Sequence, residues 1–161
     1  LAASLGISQA EAATFIDDYF SRYHGVADYL DRVLDECRRL GYAETIRGRR
    51  RPIHGIRPEP NRQRNMPERT AINSVIQGSA ADLIKQAMIG VDGALKRDNH
   101  PGTMLLQIHD ELVFEVPESD LESLLGLVRH EMETALELDV PLVVDCASGH
   151  NWMEIEEISV S

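Results

Sequence analysis

The sequence has 161 residues, enough for one domain with a real core, and no apolar run of about 18 residues, so no membrane-spanning helix is expected. Its formal net charge of −11 argues against a surface that binds nucleic acid all over. The charge is segregated, however. Residues 1–46 hold four basic and eight acidic side chains, residues 47–69 hold eight arginines against Glu59 and Glu68, and residues 70–161 hold four basic and seventeen acidic. The Arg-rich stretch is therefore either an anion-binding segment or a solvated loop.

In chain order, Leu1 to Gly6 has no basic region and no cleavage pattern of a signal peptide. With no initiator Met, the chain reads as a piece of a longer protein. Ser8-Gln9-Ala10-Glu11 spells a capping box, and behind it Ala12, Phe15, Ile16, Tyr19, Phe20 and Tyr23 recur at helical spacing. These aromatic positions are expected in the core. Gly25 is read as a break. A second helix follows with Val26, Tyr29, Leu30, Val33, Leu34, Cys37 and Leu40 on one face, and Gly41 stops it. Cys37 and Cys146 lie far apart and outside any metal-ligand spacing, which fits two reduced, buried thiols in a cytoplasmic protein.

Tyr42 to Ile53 has a short β-like pattern around Arg47-Gly48, and residues 54–66 read as an irregular loop. Pro67 suits the first turn of a long helix whose stripe is Ile72, Ile76, Ala80, Leu83, Ala87, Val91 and Leu95; Asn99-His100-Pro101-Gly102 ends it. Thr103 to Ile108 and Leu112 to Val116 are β-rich runs separated by His109-Asp110-Glu111, a hairpin with three polar residues at its tip. Ser119-Asp120-Leu121-Glu122 spells a second capping box, before a helix carrying Leu121, Leu124, Leu125, Val128, Met132 and Leu136. Pro141 precedes a last strand, Leu142 to Cys146, expected in the same sheet as the hairpin. The expected class is α+β: a small antiparallel sheet with helices on one face, after a helical segment.

Two constellations carry chemistry. The hairpin tip places two adjacent acids at one point, which costs repulsion unless a cation compensates, and hard oxygen ligands suit Mg²⁺. Otherwise the tip is an ordinary solvated turn. On the long helix Arg69, Asn73 and Gln77 stand at i, i+4 and i+8, at about 0°, 40° and 80° around the axis. Such a ribbon offers hydrogen bonds to phosphates, sugars and minor-groove acceptors, or it is a plain polar helix face. Gly78 in mid-helix costs about 1 kcal/mol relative to Ala, which a close backbone approach would explain.

Glu68-Arg69-Thr70-Ala71-Ile72-Asn73 with Gln77-Gly78-Ser79-Ala80-Ala81-Asp82-Leu83-Ile84-Lys85 resembles the long palm helix of family A DNA polymerases. Gln107-Ile108-His109-Asp110-Glu111-Leu112-Val113-Phe114-Glu115-Val116 resembles their third signature motif. Gly41 to Thr45 through Gly48 to Arg51, and Gly149-His150-Asn151-Trp152, are similar to further stretches of the same family. Two departures, Ser74-Val75 for a commoner small-residue–Pro pair and Ser79 for a common Thr, touch no proposed ligand.

The resemblance implies residues 1–41 as a helical fingers portion, 42–66 as an Arg-rich connection and 67–161 as a palm portion. It implies template-directed addition of deoxynucleotides to a primer 3′ end, in replication or repair, in the bacterial cytoplasm. The partners would be primer–template DNA and deoxynucleoside triphosphates, with no membrane and no obligate protein partner. Asp110 corresponds to a ligand of two catalytic Mg²⁺ ions, with Glu111 supporting it and His109 close to the primer end. Arg69, Asn73 and Gln77 fall at positions that contact template or primer, and Arg64 would touch the DNA backbone. The family's other metal aspartate and its nucleotide-binding helix would lie upstream, so the chain alone is expected to be inactive. Rival readings are a non-catalytic DNA-gripping piece and a metal-dependent phosphoesterase using His109, Asp110 and Glu111.

Overall fold

The computed structural model describes residues 2–56 and 66–158. Two compact units, Leu1–Ser79 and Ala80–Ser161, each have a core of their own.

The first unit opens with a short helix, α1 (Ala2–Leu5), then α2 (Gln9–Arg22) and α3 (His24–Leu40). Ser8 caps α2 as its spelling predicts: its hydroxyl accepts from the Glu11 N–H, and the Glu11 carboxylate accepts from the Ser8 N–H. The break between α2 and α3 falls at Tyr23, with φ −112° and ψ 55°, rather than at Gly25, which lies inside α3. The aromatic stripe of α2 departs from expectation. Ala12 is buried, but Phe15, Ile16, Tyr19 and Tyr23 are exposed, with the rings of Tyr19 and Tyr23 in tilted contact, centroids 5.0 Å apart. Periodicity identifies an apolar face, but nothing among the described residues covers this one.

Helix α3 behaves as its stripe predicts, burying Leu30, Leu34 and Cys37. It ends at Gly41, whose N–H donates to the Cys37 carbonyl and whose φ of +82° is a conformation any Cβ would strain. Strands β1 (Tyr42–Glu44) and β2 (Arg50–Pro52) then form an antiparallel hairpin in which Glu44 faces Arg50. Leu34, Cys37, Ala43, Ile53, Ile56 and Ala71 make the core of this unit.

Helix α4 (Met66–Arg97) has 32 residues and is about 48 Å long at 1.5 Å per residue. Its first residues belong to the first unit and the rest to the second. The predicted stripe holds for Ala87, Val91 and Leu95, which are buried. In the first half the buried face is Ala71 and Ser74, with Ile72 and Val75 beside it. Ile76 is 52% exposed and lines an open groove of about 580 Å³ together with Tyr29, Leu40, Ile46 and Val75. Mixed small and apolar residues leave the stripe ambiguous there, and contact with β1 and β2 selects the face.

In the second unit β3 (Thr103–Ile108) and β4 (Glu111–Glu115) form the predicted antiparallel hairpin, with a bulge at Leu105. After a 3₁₀ turn at Glu118–Asp120 comes α5 (Leu121–Glu133). The second capping box does not form: Asp120 makes no side-chain cap and Ser119 bonds Asp120 instead, because the 3₁₀ turn occupies the cap positions. Helix α5 stops before Leu136. Val91, Leu95, Leu124 and Val128 form the core, with Met104, Phe114 and Val116 packed on it.

The last strand is also corrected. Residues 142–146 pair with no strand among the described residues; β5 (Ala147–Ser148) pairs with β6 (Glu156–Glu157), apart from the hairpin. The Glu133 carboxylate, held by Arg129, accepts from the Val144 N–H and pins this stretch to α5. A β-rich composition makes the segment extended, but a strand needs a partner's open edge. Among the described residues the sheets are thus three separate two-stranded ladders, and the class remains helices with small antiparallel sheets.

Candidate active site and nucleic-acid interface

In the β3–β4 hairpin Ile108 pairs with Glu111, so the turn has only two residues, His109 and Asp110. Glu111 begins β4 rather than lying in the turn, which corrects the three-residue tip. A two-residue turn matches strand twist when its first residue takes positive φ, and His109 does so at +54°. For a non-glycine residue this is uncommon and mildly strained, and such strain concentrates at functional sites. The Gln107 side-chain amide donates to the His109 carbonyl and braces the turn. His109, Asp110 and Glu111 are all exposed, and neither carboxylate has an ion-pair partner among the described residues. Two adjacent hard oxygen donors on a pinned turn fit part of a Mg²⁺ site, since that ion takes one or two carboxylates and completes its shell with water and phosphates. No group of three potential ligands occurs among the described residues, so this chain's described part offers only a partial donor set.

On α4, Arg69, Asn73 and Gln77 are exposed along one ribbon, as their spacing predicts, while Glu68, Ala71 and Ser74 are buried behind them. None of the three has a side-chain partner among the described residues. The helix beneath them is gripped. Arg38 from α3 donates to Glu68 at 2.5 Å and to Asp35 at 2.9 Å, and the Glu68 carboxylate beside it raises the guanidinium pKa further. Gly78 has the close approach its cost called for: a Cβ there would lie 2.7 Å from the Thr45 methyl.

Where the Arg-rich segment is described, Arg47 is exposed at the β1–β2 turn, while its next three arginines are tied to other residues of the fold. Arg49 donates to the Gly78 carbonyl at 2.9 Å, Arg50 pairs with Glu44 at 2.6 Å and lies over the Tyr42 ring, and Arg51 donates to Ser74 at 3.1 Å. These side chains are engaged within the fold rather than held open for phosphate. Arg64, proposed for the DNA backbone, lies outside the described residues. Sequence reasoning missed Arg38, Thr45, Arg49 and Arg51 as supports of the ribbon. The mid-helix glycine was the one signal that something pressed on α4 there.

A family model, DNA polymerase family A, matches residues 1–154. The chain belongs to DNA polymerase family A. Family A polymerases are generally metal-dependent. The chain is 48% identical over 154 residues to DNA polymerase I of Streptococcus pneumoniae and 46% identical to that of Bacillus subtilis, in each case across 96% of this chain and 18% of the relative. It also resembles the solved polymerase domain of Pol1 from M. smegmatis, a complex with DNA primer–template and dNTP. That likeness has a TM-score of 0.79 and 50% identity and covers 88% of this chain and 25% of that one. The chain thus spans less than a fifth of the length of these curated family A relatives. No described helix is long and apolar enough to cross a membrane.

Proposed function

We propose that the protein containing this chain is a DNA-directed DNA polymerase that adds deoxynucleotides to a primer 3′ end on a DNA template, in replication or repair in the bacterial cytoplasm. The observation that carries this reading is the family match across residues 1–154 together with the exposed, unpaired Asp110 and Glu111 at a pinned turn. In the reaction the primer 3′ hydroxyl attacks the α-phosphate of the nucleotide and pyrophosphate leaves. Residues 1–41 would be a fingers portion, 42–66 a connection and 67–161 a palm portion.

Asp110 would be the principal Mg²⁺ ligand, with Glu111 supporting it. When bound, two such ions would supply the charge that activates the hydroxyl and stabilises the leaving oxygens. His109, held in its left-handed conformation, would present its ring at the primer end. Arg69, Asn73 and Gln77 would contact the duplex minor groove, where A·T and G·C pairs share acceptors, and so sense pair geometry more than sequence. Arg64 would contact the backbone.

The test is primer extension in Mg²⁺ by the intact protein beside the 161-residue chain alone. The intact protein should give template-dependent products. The chain alone should give none, because its described residues offer only part of a metal site. Cleavage of DNA by the intact protein without nucleotide addition would replace this reading with the phosphoesterase.

A further inference from the structure

We infer that the turn of the β1–β2 hairpin is a positioning device for Gln77 and Asn73, acting through Arg49 and Thr45; this rests on the proposed DNA-contact role of the ribbon. Hydrogen bonds and a steric contact tie the hairpin to α4. Arg51 donates to the Ser74 hydroxyl at 3.1 Å, one residue after Asn73. Arg49 donates to the Gly78 carbonyl at 2.9 Å, one residue after Gln77. The Ile46 N–H donates to the Ser79 hydroxyl at 3.0 Å. The Thr45 methyl occupies the space that any side chain at position 78 would need.

The helix needs this support at that place. Gly78 lowers its intrinsic stiffness. Ser74 and Ser79 each bond back to the carbonyl four residues earlier, at 2.6 Å, a pattern that bends helices. The hairpin turn itself is internally fixed: Thr45 and Arg49 bond through backbone at 2.9 Å, and the Arg49 N–H donates to the Thr45 hydroxyl at 3.1 Å. A locally soft helix segment is thus clamped to a rigid turn one residue away from each amide of the ribbon. The rotation of α4 about its axis, and with it the aim of Gln77, is set by the clamp. Arg49 is exposed, so the bond contributes to position more than to stability.

The experiment uses the full-length polymerase and measures primer extension from a matched end, with kcat and KM for the nucleotide separated. Arg49→Ala should lower kcat/KM about tenfold, because small misplacements of a positioned group are costly, with the thermal midpoint almost unchanged. In a Gln77→Ala background the same change should add less than about twofold, since residues acting as one unit are not additive. Gly78→Ala, which removes no bond but displaces Thr45, should impair extension similarly. Thr45→Ser, which deletes the obstructing methyl and keeps the hydroxyl, should restore it. A Gly78→Ala defect that Thr45→Ser leaves untouched overturns the clamp, as does an Arg49→Ala effect that multiplies with that of Gln77→Ala. If Gln77→Ala impairs extension but Arg49→Ala does not, the clamp alone fails. If Gln77→Ala itself extends like the parent, the DNA-contact reading fails and the inference falls with it.

Discussion

The two longer hairpins of this chain carry opposite charges and use them in opposite ways. The β1–β2 hairpin is rich in arginine, yet Arg49, Arg50 and Arg51 are all engaged by a carbonyl, a carboxylate and a hydroxyl of the same unit. The β3–β4 hairpin presents Asp110 and Glu111 to solvent with no partner among the described residues. Local charge density would have named both as ligand sites. The lesson is that a side chain is available for a ligand only if its own fold has not already satisfied it. The same distinction separates Arg38, paired with the buried Glu68, from Arg69, which follows Glu68 on α4.

This contrast predicts that unpaired charges fail as function and paired ones as stability. The largest effect should come from Asp110→Asn in the intact protein: under the proposed metal role, a fall in single-turnover extension of about 100-fold or more, since removing one charged group that stabilises a transition state costs ~3 kcal/mol or more. Duplex affinity without metal should stay constant. A rate within threefold of the parent would show the acid tip to be an ordinary solvated turn, like so many others.

Next in size is Arg38→Ala, which takes one partner from the buried Glu68 carboxylate and should lower unfolding stability by about 2 kcal/mol, read by denaturant titration. Arg69→Ala should barely change stability, and should reduce the log–log salt slope of duplex binding by about 0.9 if it neutralises one phosphate. Arg50→Ala is the matched control, and its slope should equal the parent's. A slope that moves for Arg50 and not for Arg69 would invert the comparison.

The smallest effect concerns the Ser8 cap. Bonds from Ser8 hold the Glu11 carboxyl below the ordinary glutamate value of 4.5. A lowered folded pKa means that the stabilisation is present above the unfolded value and is lost as pH falls through the folded one. The stability difference between the parent and Glu11→Gln should therefore be constant near neutrality and shrink below pH 4.5. A difference that persists at lower pH would mean the charge is not what holds the cap.

Much of this was legible beforehand. The cap at Ser8, the stop at Gly41, the length of α4, the β3–β4 pairing and the ribbon of Arg69, Asn73 and Gln77 all follow from local spacing and conformational preference. The misreadings share a cause. The α2 aromatics, the first half of the α4 stripe and the strand expected at Leu142 to Cys146 each depend on what lies opposite, which spacing along one element does not encode. Glu111 moved from turn to strand because a two-residue turn fits strand twist better than a three-residue one.

The sequence by itself determined the local grammar of this chain, because caps, helical periods and turn residues act over a few neighbouring positions. It also determined the family, because motifs of that length and order are specific. Only the tertiary structure decided which arginines were free, why Gly78 had to be glycine and which face of α4 was buried. Those outcomes depend on contacts between residues about thirty positions apart, such as Arg49 with Gly78 and Arg38 with Glu68, and such contacts exist only once the chain has folded.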